Sequence, residues 1–375
     1  KILMSERTTT STVASPANRI CPRCGVVVGG FGPEGLCPAC LIREGLEELT
    51  AVIQPAASPA GLSRQFGDYE LQEEIARGGM GVIYRAQQVK LNRTLAVKMI
   101  LAGQHAGVSE LARFRAEAQT AAQLQHPNIV AIHEVGECDG LPFFSMDYVA
   151  GQNLAQLVGN TPLPAKRAAA YLQKIAAAVQ YAHQRGVLHR DLKPSNVLID
   201  SATDEPRVTD FGLAKRMEGD ASLTMTGQVL GSPGFMPPEQ ATGKQGEIGP
   251  ASDVYSLGAI LYHLLTARPP FVAETVPAIL RMVAETEPIS PRLLNASMPR
   301  DLETVCLKCL HKEPTRRYAT AQELAEELSR FLRDEPIHAR PAGTVEKAWR
   351  WCQRNRALAV AGAAVVLLLL TVAIG

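Results

Sequence analysis

One change of hydrophobic period constrains this chain more than anything else in it. It falls inside a single long stretch, residues 69–333. The stretch opens with apolar–polar alternation in "YELQEEIARGGMGVIYRA" (Tyr69–Ala86) and "TLAVKMI" (Thr94–Ile100), the period-two pattern of half-buried strands. Further on, "KRAAAYLQKIAAAVQYAHQRG" (Lys166–Gly186) and "AQELAEELSRFLRD" (Ala321–Asp334) carry the spacing of amphipathic helices. A strand-rich part followed by a helix-rich part predicts an α+β chain of two lobes, with a cleft between them. No internal repeat interrupts it.

The flanks differ from this stretch. Residues 1–19 are rich in Ser and Thr and predict a disordered N-terminus. A Cys-rich unit occupies 20–44, and 45–67, with "QPAASPAGLSRQ", reads as a linker. Past the globular stretch of 68–333 come a basic segment, 334–356, and an uncharged run, 357–375. At 375 residues, two or three structural units are expected, and 46% hydrophobic residues suffice for a core. A formal net charge of +1 gives no electrostatic case for nucleic acid as a partner. The N-terminal "KILMSERTTTSTVASPANRI" has no sustained apolar core, so no secretory signal is expected. The chain opens on Lys1, which suggests a fragment or a start at Met4.

Four segments carry chemistry. "IARGGMGVIY" sets Gly78, Gly79 and Gly81 between two strand-like runs, where backbone amides can approach phosphate oxygens that a Cβ would exclude. Alone this is a weak signal, because a Gly-rich hairpin is more often only a turn. "LAVKMI" puts Lys98 in mid-strand; a buried ammonium must be paired or functional, and a snorkelling edge-strand lysine is the plain alternative. "LHRDLKPSN" (Leu188–Asn196) packs an acid, a cation and a carboxamide around a proline. "VTDFGLAK" places Asp210 nineteen residues after Asp191.

Taken together and in this order, these segments make 69–333 resemble a protein kinase domain of the bacterial, eukaryotic-like Ser/Thr class, over roughly seven-tenths of the chain. The resemblance implies a two-lobed kinase fold with a β-rich N-lobe and an α-helical C-lobe. It also implies roles. Asp191 accepts or orients the proton of the substrate hydroxyl, and Lys193 neutralises charge on the γ-phosphoryl group. Asn196 and Asp210 hold Mg²⁺ on the phosphates of ATP, while Lys98 contacts the α- and β-phosphates. Lys98 is expected to pair with Glu117 of "VSELARFRAEAQTAAQLQ", with Glu110 as the fallback. "MDYV" resembles the hinge that meets adenine, with Met146 at the gatekeeper position and backbone contacts at Asp147 and Val149. Ile83 and Ala96 supply apolar contact to the purine. His189 braces the loop, Glu239 pairs with Arg317, and Asp253 holds the catalytic loop.

Two positions depart from the family pattern. Ala76 replaces the first glycine of the phosphate loop, and "PPE" (Pro237–Glu239) replaces the usual APE. All the chemically essential side chains remain, so an active enzyme is preferred over a catalytically impaired nucleotide-binding scaffold. A binding protein driven by the Cys-rich unit is the other rival. Lys193-Pro194 and "GSPGF" resemble kinases acting on Ser and Thr, so proteins with such acceptors are the expected substrates.

Cys21, Cys24, Cys37 and Cys40 form two C-x-x-C knuckles twelve residues apart, the spacing of a tetrahedral Cys₄ site. The expectation is a zinc-ribbon-like module with a structural Zn²⁺, which suits a reducing compartment; another metal, a redox dithiol and disulfides are the alternatives. The module is expected to cap the chain or to dock a protein partner. Cys306 and Cys309 read as helix packing. The 19 residues Ala357–Gly375, without a charge, span roughly 28 Å as a helix, close to the hydrocarbon thickness of a bilayer. Lys347, Arg350, Arg354 and Arg356, with Trp349 and Trp351, precede them. That mix predicts a single-pass inner-membrane protein with its kinase domain on the cytoplasmic side and a further part beyond Gly375. Between Asp210 and Glu239, Ser222, Thr224 and Thr226 are expected phosphorylation sites, and Arg190 is their phosphate ligand.

Overall fold

The alternation in 69–100 does produce strands, and its two faces enter two different cores. The structure, a computed structural model, describes residues 19–20, 27–28, 64–78, 81–101, 118–211 and 233–340. The chain divides into two compact units, 1–62 and 63–375. In the first, β1 (Arg19–Ile20) and β2 (Val27–Val28) pair antiparallel, with Arg19 opposite Val28. Cys21, Cys24, Cys37 and Cys40 lie outside the described residues, as do 45–63 and 341–375; within the expected linker of 45–67, Arg64–Phe66 are instead a strand, because they pair with Tyr69–Leu71. Among the described residues no three or more His, Cys, Asp or Glu side chains are arranged to hold a metal ion. Among the same residues no helix is long and apolar enough to cross a membrane.

The second unit begins with an antiparallel sheet of six strands in the order β3-β4-β5-β6-β8-β7. These are β3 (Arg64–Phe66), β4 (Tyr69–Gly78), β5 (Gly81–Gln88), β6 (Arg93–Ile100), β7 (Ile132–Cys138) and β8 (Leu141–Asp147). Val82, Leu95, Val97, Met99 and Phe143 point to one face and close a small core with Phe66, Tyr69 and Leu71. Ala96, Ile100, Phe144 and Met146 point to the other face and join the large core of the helical part, with Ile83 packed against it. Because successive side chains of a strand alternate, Lys98 necessarily falls on this second face.

After β8 the chain crosses to the helical lobe through β9 (Gly151–Asn153) and α1 (Leu154–Val158). Asn153 caps α1 in a reciprocal box with Gln156. β9, β10 (Val197–Asp200) and β11 (Pro206–Val208) form a small antiparallel sheet beneath the cleft. Backbone hydrogen bonds from Val130 N to Val208 O, 2.9 Å, and from Val208 N to Asn128 O, 2.9 Å, tie this sheet to the segment leading into β7. The remaining helices are α2 (Ala165–His183), α3 (Pro238–Ala241), α4 (Pro250–Thr266), α5 (Val276–Glu285), α6 (Pro291–Leu294), α7 (Arg300–Cys309) and α8 (Ala321–Leu332).

α4 is buried on every side from Ser252 to Thr266, so it is the central helix against which the others pack. Gly258 makes its closest approach possible: a Cβ there would lie 2.3 Å from the Cβ of Cys309. Cys306 and Cys309 are buried free thiols at this contact, and burial pushes both thiol pKa values up, which suits packing rather than reactivity. Packing also continues past Arg333. Ile337 is buried, Glu327 accepts hydrogen bonds from the amides of His338 (2.7 Å) and Ala339 (2.9 Å), and Arg340 Nε donates to Asp301 Oδ1 at 2.9 Å.

Candidate active site

The site begins with a bend that costs energy. Arg190 has φ 65°, in the left-handed region that few non-glycine residues occupy. Asp253, in the first turn of α4, holds the bend in place. Its Oδ2 accepts from the amide of His189 at 2.9 Å and its Oδ1 from the amide of Arg190 at 2.9 Å. His183 Nε2, at the end of α2, lies 2.7 Å from the same carboxylate. Burial alone would raise the Asp253 pKa, but His183 and the backbone donors outweigh it and hold the carboxyl below the usual range. His183 was not singled out by the sequence reading; a histidine six residues before His189 at the end of an apolar helix carried no signal of its own.

His189 is fully buried and joins two loops. Its Nδ1 accepts from the amide of Asp191 at 3.3 Å, so Nε2 carries the proton and donates to Thr209 O at 3.0 Å. Its ring packs on Phe211 with centroids 4.6 Å apart. The imidazole therefore braces the loops, and both its nitrogens are occupied in doing so.

Past the bend, three side chains converge. Lys193 Nζ donates to Asp191 Oδ2 at 2.8 Å. Asn196 Nδ2 donates to Asp191 O at 2.9 Å and to Asp191 Oδ2 at 3.2 Å. A short 3₁₀ turn at Pro194–Asn196, with proline in its first turn, brings the asparagine back under the aspartate. Both hydrogen bonds to the Asp191 carboxylate fall on the same oxygen, Oδ2, so among the described residues Oδ1 takes no part in them.

The sheet supplies the opposite wall. Lys98 Nζ reaches Asp210 Oδ1 at 2.6 Å and lies 5.7 Å from the centre of the Phe144 ring. Asp210 has φ 62°, a second left-handed residue at the site. Burial would raise its pKa, yet Lys98, with His189 and Lys193 behind it, depresses it, so the group is ionised at neutral pH. Ile83 and Phe144 flank Lys98 across the strands, and Met146 lies opposite Ala96. Thr209 Oγ1, just before Asp210, is 3.8 Å from the sulfur of Met146. Asp147 donates its amide to Ala131 O at 2.9 Å, and Val149 packs against the main core.

The glycines of the turn between β4 and β5 serve different ends. A Cβ on Gly81 would lie 2.0 Å from Met99 O, so only glycine lets β5 start against β6. A Cβ on Gly78 would meet nothing within 4 Å, leaving that side of the backbone open. Ala76 is exposed on β4 opposite Ile83. Gly79, Glu117, Ser222, Thr224 and Thr226 lie outside the described residues.

Below the site, Glu239 and Arg317 meet in a buried fork, Nη1 to Oε1 at 2.8 Å and Nη2 to Oε2 at 2.9 Å. Ser252 Oγ donates to Glu239 Oε1 at 2.6 Å. Arg317 also donates to the carbonyls of His311 (2.7 Å), Lys312 (2.8 Å) and Ala251 (2.9 Å), which saturates the guanidinium. Burial would raise the Glu239 pKa, but Arg317 and Ser252 hold it down.

This arrangement has relatives. Residues 69–328 match the protein kinase domain family. The chain is similar to the serine/threonine-protein kinase PknB of Mycobacterium leprae, 38% identical over 276 residues that cover 72% of this chain and 44% of the relative. It is also similar to the serine/threonine-protein kinase PrkC of Bacillus subtilis, 39% identical over 264 residues that cover 70% of this chain and 40% of the relative. The chain thus spans less than half the length of these curated relatives. Among solved structures, the kinase domain of PknI from Mycobacterium tuberculosis is similar, with 26% identity, a TM-score of 0.57, and coverage of 73% of this chain and 99% of that one. Given the match over 69–328 and the convergence of its motif residues on one cleft, this chain belongs to the protein kinase family.

Proposed function

We propose that this chain is a serine/threonine protein kinase, transferring the γ-phosphoryl group of ATP to Ser and Thr hydroxyls of proteins. The observation that carries this reading is the meeting of two charge pairs across the cleft, Asp191 with Lys193 and Asp210 with Lys98. Phosphoryl transfer asks a protein for positioning and charge compensation rather than covalent chemistry, and this set of groups supplies both. Oδ1 of Asp191 orients the acceptor hydroxyl and takes its proton, while Lys193 turns from the carboxylate to the transferred group. Lys98 exchanges Asp210 for the α- and β-phosphates, with Glu117 as its second partner. Ile83, Ala96 and Met146 cover the purine, and the backbone of Asp147 and Val149 meets its edge.

The donor set fits a hard divalent cation. Asn196 spends its amide nitrogen on Asp191, so its carbonyl oxygen is the atom left for a metal, and Asp210 is an ionised carboxylate. These two residues would hold Mg²⁺, which would supply positive charge to offset that of the phosphates. The choice of Ser and Thr over Tyr is supported by Lys193-Pro194, by "GSPGF", and by the names of the relatives.

Three finer features belong to the same reading. A Cys₄ zinc-ribbon-like module at 20–44 is supported by the spacing of its knuckles. A membrane span at 357–375, with the kinase domain on the cytoplasmic side, is supported by the length of the uncharged run and its basic approach. Phosphorylation at Thr224, Thr226 and Ser222, read by Arg190, is supported by the Thr-x-Thr pair and by the place of Arg190 directly before Asp191. The test is direct: the whole chain with Mg²⁺ and γ-labelled ATP should label itself or a generic protein on Ser or Thr. Label found only on Tyr, or no transfer at all, would overturn the assignment.

A further inference from the structure

The peptide that joins Arg190 to Asp191 is the last rigid unit before the carboxylate that the proposed reaction uses, and it is held at both ends. Its N–H, that of Asp191, donates to His189 Nδ1 at 3.3 Å. Its carbonyl, that of Arg190, accepts from Gln240 Nε2 at 3.2 Å. A carbonyl oxygen only accepts, so the nitrogen of the Gln240 amide is the atom that faces it. The two preceding amides, of His189 and Arg190, are on Asp253. Gln240 differs in origin from these other holders. It sits on α3, directly after Glu239, at the end of the segment that carries Ser222, Thr224 and Thr226. α3 is itself firmly seated, because Glu239 is buried in its fork with Arg317 and accepts from Ser252. Gln240 is therefore an arm reaching from a fixed helix to the catalytic loop.

We propose that Gln240 is a positioning residue for phosphoryl transfer: by holding the Arg190 carbonyl it sets the peptide plane from which the Asp191 side chain departs, and with it the place of the carboxylate. Two observations carry this. Arg190 has φ 65°, and a non-glycine residue stays in that region only where its surroundings over-determine it, so each holder of the bend counts. The hydrogen bonds to the Asp191 carboxylate come from Lys193 and Asn196, residues of the same loop, which move with it and do not correct its orientation. That orientation is set from outside the loop, by Asp253, by His189 through Thr209 O, and by Gln240. The inference rests on the reading of Asp191 as the group that takes the hydroxyl proton.

The experiment compares the whole chain in its native form with Gln240→Met and Gln240→Lys, the phosphorylation of the chain matched among them by mass spectrometry. Methionine keeps the length of glutamine without a donor, and lysine restores a donor. Single-turnover transfer from γ-labelled ATP with Mg²⁺ to a generic protein gives the rate of the chemical step. A fluorescent ATP analogue gives nucleotide affinity, and calorimetry gives the thermal midpoint. A small displacement of a reacting group is costly in rate, so Gln240→Met should transfer about tenfold more slowly than the native chain. Its nucleotide affinity should stay within about twofold, because the loss is confined to the transition state. Its midpoint should stay within a few degrees. Gln240→Lys should recover to within about threefold of the native rate, since the carbonyl regains a donor. An unchanged rate in Gln240→Met would overturn the positioning role while leaving the kinase reading standing. So would a Gln240→Lys as slow as Gln240→Met, or a loss of rate that tracks a fall in midpoint, because Gln240 would then only keep α3 in place. No transfer by the native chain would overturn the kinase reading, and the role of Gln240 with it.

Discussion

Four carboxylates organise the cleft and the floor beneath it, and they are held in two different ways. Asp253 and Glu239 are buried, at 2% and 3% exposure, and each is surrounded by several donors. Asp191 and Asp210 keep more of their side chains in contact with solvent, at 22% and 18%, and each is matched to one lysine. The first pair is fixed because each carboxylate is buried and already bound by several donors. The second pair can exchange, because lysine is a single cation on a flexible stem and its contact can pass to phosphate. A kinase needs both kinds: a floor that does not move and a cleft whose ion pairs give way to the ligand.

The largest expected effect tests the exchanging pair. Asp191→Asn keeps shape and removes the charge proposed to orient the hydroxyl, so phosphoryl transfer should fall by about three orders of magnitude or more. The thermal midpoint should stay within a few degrees of the native chain, because the group is partly solvated and its loss leaves no buried charge. A large fall in melting temperature would erase the distinction between the two pairs.

Asp253→Ala tests the floor. It strands His183 and two backbone amides in the core, and breaking such a buried set costs about 3–5 kcal/mol. The melting temperature should drop by on the order of 10 °C, measured by calorimetry. Activity should fall too, since the bend at Arg190 loses its holder. Activity lost with an unchanged midpoint would mean that Asp253 works in the cleft and not beneath it.

Much of the cleft was legible in the sequence, because its chemistry is carried by short ordered motifs. "LHRDLKPSN" and "VTDFGLAK" name their functional atoms without help from the fold, and the alternation around Lys98 states which face it must take. What stayed illegible depends on three-dimensional encounter. His183 looks like any polar residue closing a helix, and its role exists only because α4 brings Asp253 beside it. The contact of His133 with Asp147, 2.7 Å, is illegible for a different reason: Ile132 lies opposite Met146 and Glu134 opposite Ser145, and the one-residue bulge between them breaks the period that a strand reading relies on. The contact of Lys98 with Asp210, 112 residues away in the chain, is likewise an encounter that only the fold supplies.

A smaller effect links the two regions. Arg190 stands between them, with its amide on Asp253 and its place in the chain directly before Asp191. If phosphate on Thr224 or Thr226 is read by Arg190, changing both to Ala should lower activity by about tenfold and leave nucleotide affinity and thermal midpoint nearly unchanged. Mass spectrometry of the active enzyme should find the segment modified; a fully active double variant would detach it from the catalytic loop.

The smallest expected effect concerns acid. Glu239 has a folded-state pKa depressed by Arg317 and Ser252, so folding favours its ionised form. A group of this kind contributes stability that is fully present above its unfolded pKa, near 4.3 for glutamate, and that is lost as pH falls from there through the folded value. Glu239→Gln has no such proton to take up. It should be less stable than the native chain at neutral pH, because the fork to Arg317 loses its charge, and the deficit should narrow below about pH 4 as the native glutamate is neutralised in turn. Denaturant titrations at pH 7 and pH 3 measure the two differences. A deficit that stays constant between them would show that Glu239 holds Arg317 by shape and hydrogen bonding alone. The floor would then owe its rigidity to packing, and the contrast with the exchanging carboxylates above it would be one of burial and not of charge.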